Sequence, residues 1–197
     1  MPNDRTLQAR IMKADENTVF FRSDFPQYHT ESVGRVLSAM TAEGLLIRLA
    51  PGIYAKPRTS RFGPVLPSVI TVVEAIAKRD NAQILPSGTV ALNALGLSSQ
   101  VPDSYSFLTT GSARVIMIGA NRVILKRGVP RNFIYKSKLI ALLVQALREL
   151  GENNVGEAEL AQIRELVSNE TDYQTLTGDV QLMPEWMKRL VKPMINT

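Results

Sequence analysis

The chain has 197 residues, a net charge of +5 and no cysteine, and 45% of its residues are hydrophobic. The lack of cysteine excludes disulfides, thiolate metal sites and cysteine nucleophiles, and it agrees with a reducing cytoplasm. No run of 18 apolar residues occurs and the first residues lack a signal-peptide core, so we expect a cytoplasmic protein without membrane spans.

Residues 6–21 predict a helix followed by a short strand, and Ser23 or Asp24 is placed to begin a brief second helix. A stronger pattern follows at 30–43, where apolar side chains recur at helical spacing and form one face. We expect Thr30 to be the N-cap of this third helix.

A β-hairpin is predicted directly after the third helix. Gly44 suits the left-handed position that ends a helix, and two short apolar runs flank Pro51-Gly52, a pair suited to a tight turn. Arg48 precedes this turn and Lys56 follows it. The order helix, strand, short helix, capped helix, hairpin is that of a winged helix-turn-helix, whose third helix enters the DNA major groove.

The predicted DNA contacts lie on the third helix, the hairpin and the segment after it. The polar helix face is small and centred on Arg35, which can pair bidentately with guanine. Arg48 and Lys56 are placed to neutralise phosphates, and Arg58 and Arg61 continue this basic path through a proline-rich segment that we interpret as a linker. The alternative is an ordinary three-helix domain with a common Pro-Gly hairpin.

Three further features each have two explanations. His29, the single histidine, can touch a phosphate but is better explained as a turn residue, and Tyr54 can contact DNA or be buried in the hairpin. The turn Ser87-Gly88-Thr89 can hold a phosphate at a helix N-terminus, although a helix cap is the simpler explanation without a Walker lysine.

The second part of the chain predicts helices around a small antiparallel sheet. A helix over 69–78 and another that ends at Gly96 precede a strand and a strand pair joined at Gly119-Ala120-Asn121. Helices are then expected over 138–150, 155–167 and 182–195.

Positive charge is concentrated in the middle of the chain, at residues 67–138, whereas the C-terminal helices are acidic. No acidic residue lies between Asp103 and Glu149, whereas eight basic residues do, which is typical of a protein with a polyanionic partner. The alternative is a solvated sheet surface with a chance excess of basic side chains. Because alternate strand residues share a face, we expect some of the strand cations to add DNA-backbone contacts or to bind an acidic partner. These cations are Arg114, Arg122, Lys126 and Arg127.

Two stretches resemble one known family. Residues 23–57, which contain ESVGRVLSAMTAEGLLIRLAPGIYAKP, and residues 86–111, PSGTVALNALGLSSQVPDSYSFLTTG, are similar to the AbiEi-type antitoxins of bacterial type IV toxin–antitoxin and phage-defence systems. With the strands that follow, the resemblance covers about residues 5–130. The DNA-reading surface of the family corresponds here to Thr30, Ser32 and Arg35, flanked by Arg48 and Lys56.

The resemblance implies a repressor that binds operator DNA, double-stranded and often with inverted repeats, as a dimeric or paired arrangement. It also implies a second region that counteracts a nucleotidyltransferase toxin. The alternatives are a stand-alone winged-helix regulator and a protein-interaction adaptor without a toxin partner.

The sequence therefore predicts an α+β protein with a winged helix-turn-helix at 1–57, a linker at 58–68 and an antitoxin-like domain at 69–197. An enzyme is not expected, because no Ser/His/Asp order, paired catalytic carboxylates or nucleotide-binding loop is evident. No cofactor or metal is expected either.

Overall fold

The structure is a computed structural model that describes residues 4–195. It is an α+β protein, which confirms the fold class expected from the sequence. The helices within this range are α1 (Asp4–Lys13), α2 (Thr30–Ala42), α3 (Val69–Arg79), α4 (Thr89–Ala94), α5 (Lys138–Leu150), α6 (Glu157–Ser168), α7 (Tyr173–Gln181) and α8 (Glu185–Ile195). The strands are β1 (Val19–Phe21), β2 (Ile47–Ala50), β3 (Ile53–Ala55), β4 (Arg58–Ser60), β5 (Gly63–Val65), β6 (Ile84–Pro86), β7 (Tyr105–Thr109), β8 (Arg114–Ile118) and β9 (Asn121–Arg127).

The chain divides into two compact units. The first unit runs to Ile76 and also includes Ile116–Asn121, and the second unit comprises Ala77–Val115 and the chain from Arg122 onward. The first unit is therefore longer than the expected domain 1–57. It takes in the residues that were expected to be a linker and most of α3.

The first unit has an apolar core between two helices and a small sheet. Helices α1 and α2 pack against each other, and the antiparallel sheet has the strand order β1-β3-β2. The core side chains are almost completely buried. Removal of their apolar surface from water is the main favourable contribution to the free energy of folding. The largest of the fully buried ones are Leu7, Ile11, Leu37, Met40 and Leu46.

Helix α2 ends as the sequence predicts but begins one residue earlier than expected. Its N-cap is His29, whose side chain makes no capping hydrogen bond, and Thr30 is the first helical residue. At the other end Gly44 has a φ of +73°, and the N–H of Leu45 donates to the carbonyl of Met40 at 2.9 Å. This is the Schellman arrangement, in which a left-handed glycine lets the chain turn back onto the last helical carbonyls.

The expected second helix is a single 3-10 turn over Arg22–Asp24. The carboxylate of Asp24 accepts a hydrogen bond from the N–H of Phe21 at 2.8 Å. Asp24 therefore stabilises this 3-10 turn and is not the N-cap of a helix that follows. The first unit consequently has two α-helices before its hairpin. Its interpretation as a winged helix-turn-helix stays a prediction.

The expected linker at 58–68 contains an antiparallel hairpin formed by β4 and β5. The Ser60 hydroxyl accepts from the N–H of Phe62 at 3.2 Å and donates to the carbonyl of Gly63 at 2.7 Å. Gly63 has a φ of +109°, which a residue with a side chain rarely adopts. These contacts order a segment whose prolines suggested irregular structure.

A four-stranded sheet has the order β6-β7-β9-β8, and it contains a parallel pair where the sequence predicted a purely antiparallel sheet. Strands β6 and β7 are antiparallel, but β7 and β9 are parallel, with Phe107 opposite Leu125. The parallel pair arises because β8 takes the edge and its tight turn returns β9 beside β7 in the direction of β7. Gly119 has a φ of +60° in this turn, as the turn prediction requires.

Helix α4 is short and lacks the expected side-chain cap. Its N-cap is Gly88, with a φ of +61° and no side-chain capping hydrogen bond, so neither Ser87 nor Thr89 caps it. Gly96 follows the helix with a φ of +68°, consistent with the exit predicted from the sequence.

The C-terminal helices form the largest apolar core. The expected helix at 138–150 is α5, and the Ser137 hydroxyl caps it by accepting from the N–H of Ile140 at 3.3 Å. The expected C-terminal helix is α8, which contributes Met187 and Val191 to the core of α4–α8. Helix α7 was not predicted, because its sequence is polar and short. Within residues 4–195, no helix is both long and apolar enough to cross a membrane.

Candidate nucleic-acid interface

Helix α2 presents a polar face to solvent on the side away from its apolar stripe. Thr30 and Arg35 are exposed and Ser32 is half-buried. A guanidinium nitrogen of Arg35 donates to the Ser32 hydroxyl at 3.1 Å and lies 3.9 Å from a carboxylate oxygen of Asp4. The Arg35 side chain is 71% exposed, and an ion pair in that setting contributes less than about 1 kcal/mol. Arg35 can therefore exchange Asp4 for another acceptor.

A second arginine lies against the same helix. An ideal Cβ placed on Gly34 would lie 3.1 Å from the guanidinium carbon of Arg22. The absence of a side chain at Gly34 thus lets the Arg22 guanidinium approach the backbone of α2. Sequence reasoning missed Arg22, although a glycine inside an amphipathic helix, where it costs about 1 kcal/mol relative to alanine, was a usable signal.

The β2–β3 hairpin carries one exposed cation near a buried aromatic ring. Arg48 is exposed and pairs in register with Tyr54, which is buried. Of the two explanations for Tyr54, the structure therefore supports burial in the hairpin and gives it no exposed surface for DNA. Gly52 has a φ of +75°, as expected for the second central residue of a Pro-Gly turn.

Lys56 has a role different from the phosphate contact that we expected. Its ammonium donates to the carbonyl oxygens of Met12 at 2.7 Å and Ala14 at 2.6 Å. These carbonyls lie at the C-terminal end of α1, where the helix dipole favours a positive charge. Lys56 therefore stabilises the fold, and we remove it from the candidate DNA-binding residues.

The β4–β5 hairpin has a basic and aromatic tip. Arg58 and Arg61 are exposed, and the Arg61 guanidinium lies 4.6 Å from the centre of the Phe62 ring. Phe62 is 86% exposed, which is unusual for a phenylalanine. Sequence reasoning found both arginines but missed Phe62, because a linker interpretation gives no reason to notice an exposed ring.

The four cations expected on a second basic surface do not form one surface. Arg122 and Lys126 share a face of β9, whereas Arg127 lies on the opposite face. Arg114 is tied to the carboxylate of Asp80, which also accepts from Arg79 at 2.8 Å. This leaves Arg122 and Lys126 as the pair with a common direction.

The ion-pair network lowers the pKa of Asp80. Partial burial of the carboxylate acts in the opposite direction, but hydrogen bonds and charge attraction from Arg79 and Arg114 outweigh it. Asp80 stays ionised to lower pH than an isolated aspartate. Arg114 is thus partly neutralised by a neighbour within its own unit.

His29 is exposed, and no group of three or more His, Asp or Glu side chains is placed to hold a metal ion among residues 4–195. The candidate interface comprises Thr30, Ser32 and Arg35 on α2, Arg22 beside it, Arg48 on one hairpin, and Arg58 and Arg61 on the other.

The chain matches a family model and is distantly similar to a solved structure. A model described as "Family of unknown function (DUF6088)" matches residues 6–175. No curated protein matches the chain significantly. The fold was compared with solved structures, and the crystal structure of the RV2827C protein from Mycobacterium tuberculosis is similar at 15% identity and a TM-score of 0.47. That match covers 98% of this chain and 75% of the other.

Proposed function

The chain belongs to DUF6088, a family of unknown function, and we propose that it is a DNA-binding transcriptional regulator whose first unit binds operator DNA. The observation that carries the proposal is the exposed Arg35 of α2, oriented by Ser32 on a helix face of small polar side chains. A face of this kind lets a helix backbone approach base edges closely. An arginine that is held but not buried can then pair with O6 and N7 of guanine.

The arginines around α2 support the same proposal. Arg22 lies against α2, and Arg48, Arg58 and Arg61 are exposed on two hairpins of the same unit. Among the described residues, none of these four has a carboxylate within ion-pair distance. Each can therefore neutralise a phosphate, and such contacts provide affinity and register without reading sequence.

Acidic side chains set a limit on the orientation of the helix. Glu31 is exposed in the first turn of α2, where its negative charge interacts favourably with the helix dipole. Asp4 lies near Arg35. Neither can face a phosphate without repulsion. Glu31 lies one helical turn before Arg35 and shares its face, so we propose a major-groove contact at Ser32 and Arg35 in which Glu31 meets base edges and not a phosphate.

The test is a gel-shift titration on the DNA upstream of the protein's own gene at a fixed salt concentration. The expected result is specific binding that Arg35→Ala weakens by about tenfold or more, because a good bidentate pair contributes about 1–3 kcal/mol of discrimination. Arg35→Lys is expected to recover little, since an ammonium cannot make the forked contact. Arg164→Ala, which removes an exposed arginine of the second unit, is the matched control and should leave binding unchanged.

Two results would count against this assignment in different ways. Absence of specific binding by the unmodified protein would remove the regulator proposal altogether. Specific binding that is equally strong in Arg35→Ala would support the regulator proposal but would exclude α2 as the helix that recognises the base sequence.

We further propose that the protein acts as an AbiEi-like antitoxin, which represses its own operon and counteracts a nucleotidyltransferase toxin. The support is the sequence resemblance at 23–57 and 86–111. The test is co-expression with an adjacent nucleotidyltransferase-like gene in a growth assay, where the full chain should restore growth. A stand-alone regulator would bind the promoter without rescue, and an interaction adaptor would do neither.

A further inference from the structure

The second unit contains an open polar cavity of about 450 Å³ that the proposed DNA contacts do not use. This volume falls in the range of small-molecule sites. Three serines line it, one in the turn before α4, one just before β7 and one within β7; they are Ser87, Ser104 and Ser106. Such a wall suits a ligand rich in polar groups.

One wall residue is a buried amide without a partner. Gln145 lines the cavity, is 5% exposed, and its Nε2 has no hydrogen-bond partner among the described residues. Its neighbours on α5, Val144 and Ala146, are apolar and fully buried. A buried donor without an acceptor costs free energy that a leucine at this position would avoid. Its nitrogen has almost no accessible surface, so the amide must turn toward the cavity before it can donate to an oxygen of a bound ligand.

Two cations line the same cavity. Lys126 comes from β9, and Arg148 lies one helical turn after Gln145 on α5. Neither has a carboxylate within 4 Å among residues 4–195. An ammonium and a guanidinium at one site are the usual complement of a phosphate group.

The other residues that line the cavity indicate which class of phosphate compound fits. Asp103 and Glu149 also line the cavity, and their carboxylates can accept hydrogen bonds from ligand hydroxyls. Two carboxylates repel an extended polyanion such as a DNA strand. None of the described wall residues is aromatic, so the cavity lacks the stacking surface on which a nucleobase usually rests.

We propose that this cavity binds a small sugar phosphate. The phosphate contacts Lys126 and Arg148, the Gln145 amide donates to a ligand oxygen, and sugar hydroxyls donate to Asp103 and Glu149. The site lies wholly within the second unit, and its assignment is independent of DNA binding by the first.

The experiment measures binding to the full chain by isothermal titration calorimetry and by thermal unfolding. The probes are ribose 5-phosphate and glucose 6-phosphate, compared with ribose, glucose, inorganic phosphate, AMP and free amino acids. We expect at least one sugar phosphate to bind and to raise the unfolding temperature. Its free sugar and inorganic phosphate should each bind at least about tenfold more weakly.

Variants locate the site. Gln145→Leu and Lys126→Gln should each weaken sugar-phosphate binding by about tenfold, whereas Lys138→Gln, an exposed lysine on α5 outside the cavity, should leave it unchanged. Lys126 is exposed, so Lys126→Gln tests the site even if Gln145→Leu perturbs folding. Failure of both sugar phosphates, tighter binding of AMP or an amino acid, or unchanged binding by Lys126→Gln would each overturn the proposal.

Discussion

The ammonium nitrogen of Lys56 lies 2.6 Å from the carbonyl oxygen of Ala14, and this contact connects the end of the β2–β3 hairpin to the end of α1. The backbone adds to the connection, because the N–H of Asn17 donates to the carbonyl of Lys56 at 2.8 Å. A basic residue at the edge of a hairpin is therefore part of the fold here. Measurements on variants can distinguish this structural role of Lys56 from a contact with DNA.

Lys56→Met is expected to lower the free energy of unfolding of the first unit by about 1–2 kcal/mol, because two charge-assisted hydrogen bonds at a helix C-terminus are lost. The measurement is urea unfolding followed by far-ultraviolet circular dichroism, since the single tryptophan, Trp186, lies in the second unit. Arg48→Met is the control and should change stability by less than about 0.5 kcal/mol. A large loss of DNA affinity in correctly folded Lys56→Met would instead restore the phosphate role.

Gly34→Ala should separate stability from DNA binding. Alanine favours the helix by about 1 kcal/mol over glycine, and the three atoms nearest to its Cβ all belong to the guanidinium of Arg22, a flexible group that can shift by a few tenths of an ångström. We expect unchanged or higher thermal stability together with weaker operator binding, because Arg22 is displaced from α2. Equal affinity for DNA in Gly34→Ala would show that Arg22 makes no contact there.

The tip of the β4–β5 hairpin combines a charge with an apolar ring, and the two should affect DNA affinity and its salt dependence differently. Arg61→Ala should reduce the slope of log affinity against log salt by about 1, because one phosphate contact is lost. Phe62→Ala should weaken binding without changing that slope, since the ring contributes contact with sugars or bases and no counterion release. The check is a series of fluorescence-anisotropy titrations over several salt concentrations. Identical slopes for the unmodified protein and Arg61→Ala would place the tip away from DNA.

The Asp80 network predicts a defined dependence of stability on pH. The pKa of Asp80 in the folded protein lies below its ordinary value of 3.8, so the ionised carboxylate contributes stability that is present above that value. This contribution is lost as pH falls through the lowered pKa. Asp80→Asn should therefore be less stable than the unmodified protein near neutral pH, by a few tenths to about 1 kcal/mol given partial solvent exposure.

The difference in unfolding free energy between Asp80→Asn and the unmodified protein should shrink as the pH drops below about 4. The same comparison in Arg114→Met is informative, because removal of one partner should reduce the effect of Asp80→Asn at the pH values where the carboxylate is ionised. A difference that stays constant between neutral pH and strong acid would exclude a role for the Asp80 charge.

Several features that depend on neighbouring residues could be predicted from the sequence. Helix α2 and its left-handed exit at Gly44 follow from local periodicity and from the conformational freedom of glycine. The turn at Gly119 was predictable for the same reason. Arg35 could be singled out because helical spacing alone places it opposite the apolar stripe.

Contacts between distant residues could not be predicted in this way. Lys56 and Ala14 are 42 positions apart, and nothing in the local sequence distinguishes a lysine that meets a carbonyl from one that meets a phosphate. The parallel pairing of β7 with β9 depends on which strand takes the sheet edge, and periodicity carries no information about that choice. Prolines led to a linker prediction for 58–68, although Pro64 fits a two-stranded ribbon at little cost because edge positions need no N–H donor.

The first unit is assembled from two separate stretches of the chain, since Ile116–Asn121 belongs to it and the N–H of Gly119 donates to the carbonyl of Leu49 at 3.1 Å. A gene fragment that ends at residue 57 or 68 would encode this unit without one of its parts. Recombination at those points would not transfer it intact to another protein. The two units of this chain are therefore expected to be inherited together and to evolve together.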